Sequence, residues 1–154
     1  MPAKFVHLRL HSAYSLAEST LRIKSLSRLI ADDHQPAAAI TDTNNMFGAL
    51  EFAQTLIGVG IQPIMGTQLN LEDTKGQGEI VLLAQTDLGY TNLSKLLSKT
   101  LLEADAVHDP SCSLVDLEAH AEGLILLGGG ALSGFIGAPA GDGRPALAAE
   151  RADR

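Results

Sequence analysis

At 154 residues the chain suits one domain, and its 45% hydrophobic and 19% charged residues are ordinary for a globular protein; with 4% aromatics and no Trp, the core must be aliphatic. Eighteen acids against eleven bases leave a formal charge of −7, without the clustered Lys and Arg that grip nucleic acid. No apolar signal segment follows Lys4, no run approaches the ~20 apolar residues of a membrane span, and the single Cys112 excludes an internal disulfide, all of which fit a reducing, cytoplasmic setting.

Residues 5–11, "FVHLRLH", alternate strictly and predict a strand with Val6, Leu8 and Leu10 on one face and His7, Arg9 and His11 on the other. A Ser-rich loop with N-cap candidates follows. A helix is predicted over residues 21–33 from Ile23, Leu26, Leu29 and Ile30, and Pro36 ends it. "AAAIT" reads as a short buried strand running into the polar turn "DTNN". Phe47–Ile57 reads as a helix stopped by Gly58 and Gly60.

Residues 61–72 predict a strand, 73–79 its turn, 80–85 another strand and 88–103 a helix carried by Leu93, Leu96, Leu97 and Leu101. A linker is expected over residues 105–113, then a short helix over 114–120 and a strand at "GLILL", which enters the glycine-rich "GGGALSGFIG". This strand–helix order predicts an α/β fold with a parallel sheet or barrel. The final residues, rich in Ala and Gly, have room for a helix near Pro145 but few large apolar anchors. The expected division is a partial domain over residues 1–137 and a truncated tail over 138–154, with the chain stopping mid-fold.

His11 and Asp42 both end strands, where parallel α/β folds carry their sites, so the pair is a plausible start for a metal or hydrolytic centre. Asp42 before Thr43, Asn44 and Asn45 is equally a turn and cap sequence. "GGGALSG" lacks the lysine of a phosphate-binding loop and reads as a tight turn. His34, His108 and His120 are expected at the surface. Cys112, without basic neighbours, is expected to be unreactive.

Five blocks, "FVHLRLHSAYSL", "PAAAITDTNNMFGALEF", "GIQPIMGTQLNL", "VLLAQTDLGYTNLSKLLSK" and "EGLILLGGG", resemble in order the polymerase-and-histidinol-phosphatase (PHP) domain at the N-terminus of bacterial DNA polymerase III α subunits. The resemblance runs from about residue 4 to 137. It implies a distorted (β/α)7 barrel, incomplete here at its C-terminus. In active members the barrel pocket holds a cluster of Zn or Mn ions for phosphoester hydrolysis, including 3′–5′ exonuclease activity.

Against that pattern the chain departs repeatedly. The resemblance implies a pair of histidines at the end of the first strand, but Arg9 stands in place of the first and only His11 remains. Glu18 corresponds to the family's loop aspartate. Asp42 is kept, whereas Thr43 replaces the histidine after it, Gln68 a glutamate and Gly130 a cysteine. Each change removes a donor or a charge, and Arg9 adds a permanent cation where a metal would sit. Arg9 is therefore expected to pair with Asp42 or Glu18 and fill the vacated pocket.

These losses imply a degenerate site with no catalytic residues and no metal; any residual ligands would be His11, Glu18 and Asp42. The expected function is that of a structural segment of a replicative polymerase subunit, docking a proofreading exonuclease subunit and meeting DNA only within the full holoenzyme. Mg would serve only the parent polymerase, whose catalytic residues are not in this sequence. The alternative is a metal-dependent phosphoesterase or 3′–5′ exonuclease with an altered ligand set. A third expectation is that a barrel lacking strands exposes its edges and makes the isolated chain poorly soluble.

Overall fold

The computed structural model describes residues 5–104 and 109–153. His108 and residues 105–107 of the expected linker lie outside the described residues. In chain order the elements are α1 (Ile23–Asp32), β1 (Ala37–Ile40), α2 (Ala49–Ile57), β2 (Gln62–Asp73), β3 (Gly76–Ala84), α3 (Asp87–Glu103), β4 (Ser111–Ser113), α4 (Leu114–Ala119), β5 (Leu124–Leu127), α5 (Gly137–Gly141) and α6 (Pro145–Ala152).

The five strands form one sheet in the order β1-β2-β3-β5, with β4 added alongside β2. β1 and β4 run parallel to β2, but β2–β3 and β3–β5 are antiparallel, so the sheet is mixed and not the parallel one expected. Chain length decides this. Only Thr74 and Lys75 separate the paired Asp73 and Gly76, and a link that short joins antiparallel strands alone. The glycines of 76–79 belong to β3 and not to the expected turn. Gly78 is there for contact, since a Cβ on it would stand 2.5 Å from the Phe135 backbone of the loop crossing β3.

Residues 5–11 run beside β1 without forming the regular strand their alternation predicts. Ala39 N donates to His7 O (2.8 Å) and Thr41 N to Leu10 O (2.8 Å), but Leu10 N turns to the Thr41 hydroxyl (3.1 Å), which interrupts the ladder. Leu8 is correspondingly exposed instead of packing with Val6 and Leu10.

Helix periodicity places two aliphatic cores. Ile23, Leu26 and Ile30 of α1 pack with Phe52 and Leu56 of α2 against Ala38, Ile40 and Ile61. Leu93, Leu96 and Leu97 of α3 cover Leu69, Leu71, Ile80 and Leu82 on the other side, with Cys112 and Leu117. Burial in that second core pushes the Cys112 thiol up to about 11, which suits an inert, structural cysteine.

α3 starts on a cap: the Thr86 hydroxyl accepts from Gly89 N (3.0 Å). Its first turn lies directly on the entry to β5, and a Cβ on Gly89 would fall 1.8 Å from Gly123 O. Gly89→Ala must therefore push the helix off the strand. The expected cost is about 3 kcal/mol, the upper range for overpacking, read as a lower urea midpoint; an unchanged midpoint would contradict this close approach.

The expected helix at Pro145 is α6, and its anchor is polar. Arg151, 7% exposed, forks onto the Asp73 carboxylate (Nε 3.0 Å, Nη2 2.8 Å) and donates to Phe135 O (2.7 Å) and Gly76 O (3.2 Å). Its guanidinium carbon lies 3.9 Å from the Phe135 ring centre. One arginine thus ties α6 to the β2–β3 hairpin and to the loop that crosses it.

Candidate functional site

The chain leaves β1 at Thr41 and Asp42 and turns within hydrogen-bonding reach of β2. Gln68 N donates to Asp42 O (3.2 Å), Asn44 N to Gln68 O (2.8 Å) and the buried Thr67 hydroxyl to Asp42 O (2.8 Å). Asn44 takes the left-handed conformation (φ 55°), which asparagine tolerates better than most residues. The "DTNN" sequence thus makes its turn and brings Asp42, Thr43 and Gln68 together.

Asp42 is 2% exposed, and its carboxylate is fully engaged. Oδ1 accepts from Ser12 N (2.6 Å) and the Ser15 hydroxyl (2.6 Å), and Oδ2 from the Ser12 hydroxyl (2.7 Å). Ser15 Oγ in turn accepts from Thr43 N (3.1 Å). Such charge-assisted bonds are short and strong, and they fasten the 12–15 loop over the end of β1. The serines anticipated only as helix caps hold this carboxylate instead.

A second knot lies beside the first. His11 Nδ1 is 3.1 Å from Glu18 Oε2 and its Nε2 is 3.2 Å from Gln68 Oε1, while the Thr43 hydroxyl donates to the same Glu18 oxygen (2.6 Å). His11, Glu18, Thr43 and Gln68, singled out in the sequence, are therefore one connected cluster.

Arg9 belongs to a third group. Its Nη2 lies 3.1 Å from Glu79 Oε2, which also accepts from the Ser133 hydroxyl (2.7 Å), and its Nη1 sits 3.9 Å from where a Cβ of Gly130 would be. The expected pairing of Arg9 with Asp42 or Glu18 is not formed. Three serine donors already occupy Asp42, and His11 and Thr43 occupy Glu18, so the guanidinium pairs with the Glu79 carboxylate, which it shares with the Ser133 hydroxyl. Glu79 was hidden in the sequence by its assignment to a turn.

A divalent ion needs three or four lone pairs converging on one point. Here the carboxylates of Asp42, Glu18 and Glu79 are directed at protein donors in three separate groups. Among the described residues, no set of three or more His, Cys, Asp or Glu side chains converges to hold a metal ion. These residues do not fit a metal cluster. The two serines donate straight to a carboxylate while His11 bonds elsewhere, so no hydroxyl–imidazole–carboxylate relay is assembled either.

The family model for the PHP domain matches residues 7–154. The chain is 37% identical over 137 residues to the DNA polymerase III subunit alpha of Vibrio cholerae, covering 87% of this chain and 12% of that one. It is 38% identical over 134 residues to the same subunit of Caulobacter vibrioides, with 82% and 12% covered. Rickettsia bellii supplies a third such subunit, 40% identical over 128 residues, with 82% and 11% covered. The chain thus spans about one eighth of the length of these relatives, in their N-terminal region. Among solved structures, an amidohydrolase from Chromobacterium violaceum superposes with a TM-score of 0.52 at 21% identity, over 62% of this chain and 32% of its own, a likeness of fold alone. With most of its length matched by the family model and 37–40% identity to these subunits over the aligned residues, the chain belongs to the PHP domain family.

Proposed function

We propose that this chain is the N-terminal PHP segment of a bacterial replicative DNA polymerase III α subunit, with a structural role in DNA replication and a pocket that has exchanged metal ligation for hydrogen bonding. The similarity to the α subunits supports the parentage. The observation that carries the structural role is the Asp42 carboxylate, buried and accepting three hydrogen bonds from Ser12 and Ser15. A carboxylate so engaged fixes a loop; it is not open to an ion. In this proposal the remainder of the α subunit is the immediate partner, the proofreading exonuclease subunit docks on the domain, DNA is met only through the holoenzyme in the cytoplasm, and Mg serves the polymerase region alone. No helix among the described residues is long and apolar enough to cross a membrane.

The competing function is a metal-dependent phosphoesterase or 3′–5′ exonuclease, and it is directly testable. Purified chain incubated with 3′-labelled single-stranded DNA and Mn²⁺ or Zn²⁺ is expected to release no nucleotide above the protein-free control. Release that disappears in Asp42→Ala while the variant stays folded would replace the structural role with a hydrolytic one.

A further inference from the structure

Three stretches distant in sequence meet at Glu79 of β3. The loop after β5 crosses the strand there, where Glu79 N donates to Ser133 O (2.8 Å) and Phe135 N to Glu79 O (2.9 Å). The 5–11 segment reaches the same residue through Arg9, whose Nη2 lies 3.1 Å from Glu79 Oε2, the oxygen that also accepts from the Ser133 hydroxyl (2.7 Å). Among the described residues this is the one hydrogen bond or ion pair from 5–11 to β3; the segment's other bonds go to β1, β2 and nearby loops. Gly130 leaves room for the guanidinium. A Cβ there would stand 3.9 Å from Arg9 Nη1 and 3.8 Å from Ser133 Oγ, so a longer side chain directed that way would meet both.

We propose that Arg9 performs the mechanical task of a bound ion: its fixed charge gathers Glu79, and with it Ser133, and so latches the 5–11 segment to β3 and to the 128–134 loop. The inference rests on the reading that this pocket has exchanged metal ligation for protein contacts, and it names the cation that stands in. Arginine suits the task, being always charged and able to donate from several nitrogens. The Arg9 and Glu79 side chains are 41% and 29% exposed, so water and salt screen the pair and its effect is local. It governs how often these two stretches open, not whether the domain folds. A latch of this kind answers to ionic strength, whereas a chelated ion answers to EDTA.

Hydrogen exchange of the 154-residue chain, followed by mass spectrometry, tests this. Arg9→Met keeps an unbranched side chain and removes the charge. It is expected to speed exchange about two- to fivefold in peptides covering residues 5–11 and in those covering 128–136, a factor in keeping with a partly exposed pair, while α3 is unchanged. Glu79→Gln is expected to do the same, and it carries the test if Arg9→Met fails to fold. The double variant should exceed neither single one, because all three remove the same interaction. Raising NaCl from about 0.05 to 1 M should shrink the difference between wild type and variants. Exchange that stays unchanged or speeds in only one of the two stretches, additive effects in the double variant, or a difference indifferent to salt would overturn the latch and leave the metal-free reading standing. Faster wild-type exchange on adding EDTA would overturn both.

Discussion

Asp42→Ala is expected to lower the stability of the fold by about 3 kcal/mol, with or without metal in the buffer. The alanine leaves Ser12 N buried beside a cavity with no acceptor, and each such orphaned donor costs about 1–3 kcal/mol. The Ser12 and Ser15 hydroxyls lose charge-assisted bonds but can rotate toward other acceptors, which limits the total. Asp42→Asn should be milder, about 1–2 kcal/mol, since its amide oxygen still accepts from Ser12 N and the Ser15 hydroxyl, and the Ser12 hydroxyl can turn to accept from its NH₂. Against a total stability of roughly 5–15 kcal/mol the alanine variant is severely weakened. Urea denaturation checks the claim. A wild-type midpoint that falls toward the variant's on adding EDTA would show that Asp42 acts through a metal and not through the serines.

Arg151→Met is the second large effect, about 3 kcal/mol at neutral pH, the low end for removing one partner of a buried ion pair. The hydrogen bonds from Arg151 hold the Asp73 carboxyl below the usual carboxylate range, helped by Lys75 N. A group whose native pKa lies below its unfolded value of about 3.9 stabilises the fold above that value, and the contribution fades as pH falls through the native one. The gap between wild-type and variant urea midpoints should therefore be full above about pH 5 and narrow below about pH 4. What remains at low pH is the share owed to the Phe135 and Gly76 carbonyls and the ring contact. A gap constant from pH 7 to 3 would assign the whole effect to packing.

The helices and the central strands were legible from spacing, because a stripe of Ile and Leu has one way to be buried. The route of the chain through the pocket was legible only in part. Alternation at residues 5–11 promised a regular strand, but a side-chain hydroxyl, that of Thr41, took the place of a backbone acceptor, and no period records such an exchange. β4 reads as linker in the sequence, since three residues of Ser and Cys carry no pattern; in the fold they pair with Asn70–Glu72, with Cys112 in the core.

Of the residues singled out in the sequence, four meet in one cluster, with Thr43 bonded to Glu18 and His11 to Gln68, while Asp42 and Arg9 bond elsewhere. Their partners were not foreseen. Ser12 and Ser15 are common loop residues, and Glu79 and Arg151 reach across 70 and 78 residues of sequence to Arg9 and Asp73, a distance over which only the folded chain brings charges together. Arg9 shows the consequence: its charge was evident, but its partner depended on which carboxylates the serines had already taken.

The central claim is that the pocket at the end of β1 is held by protein hydrogen bonds in place of metal ions. Its most direct test is the metal content of the purified 154-residue chain, equilibrated with Zn²⁺ or Mn²⁺, passed through gel filtration and measured by inductively coupled plasma mass spectrometry beside Asp42→Asn. The account predicts well below one ion per chain in both, with an unchanged melting temperature on adding either metal. One or more ions per wild-type chain, lost in Asp42→Asn and accompanied by a higher melting temperature, would contradict it.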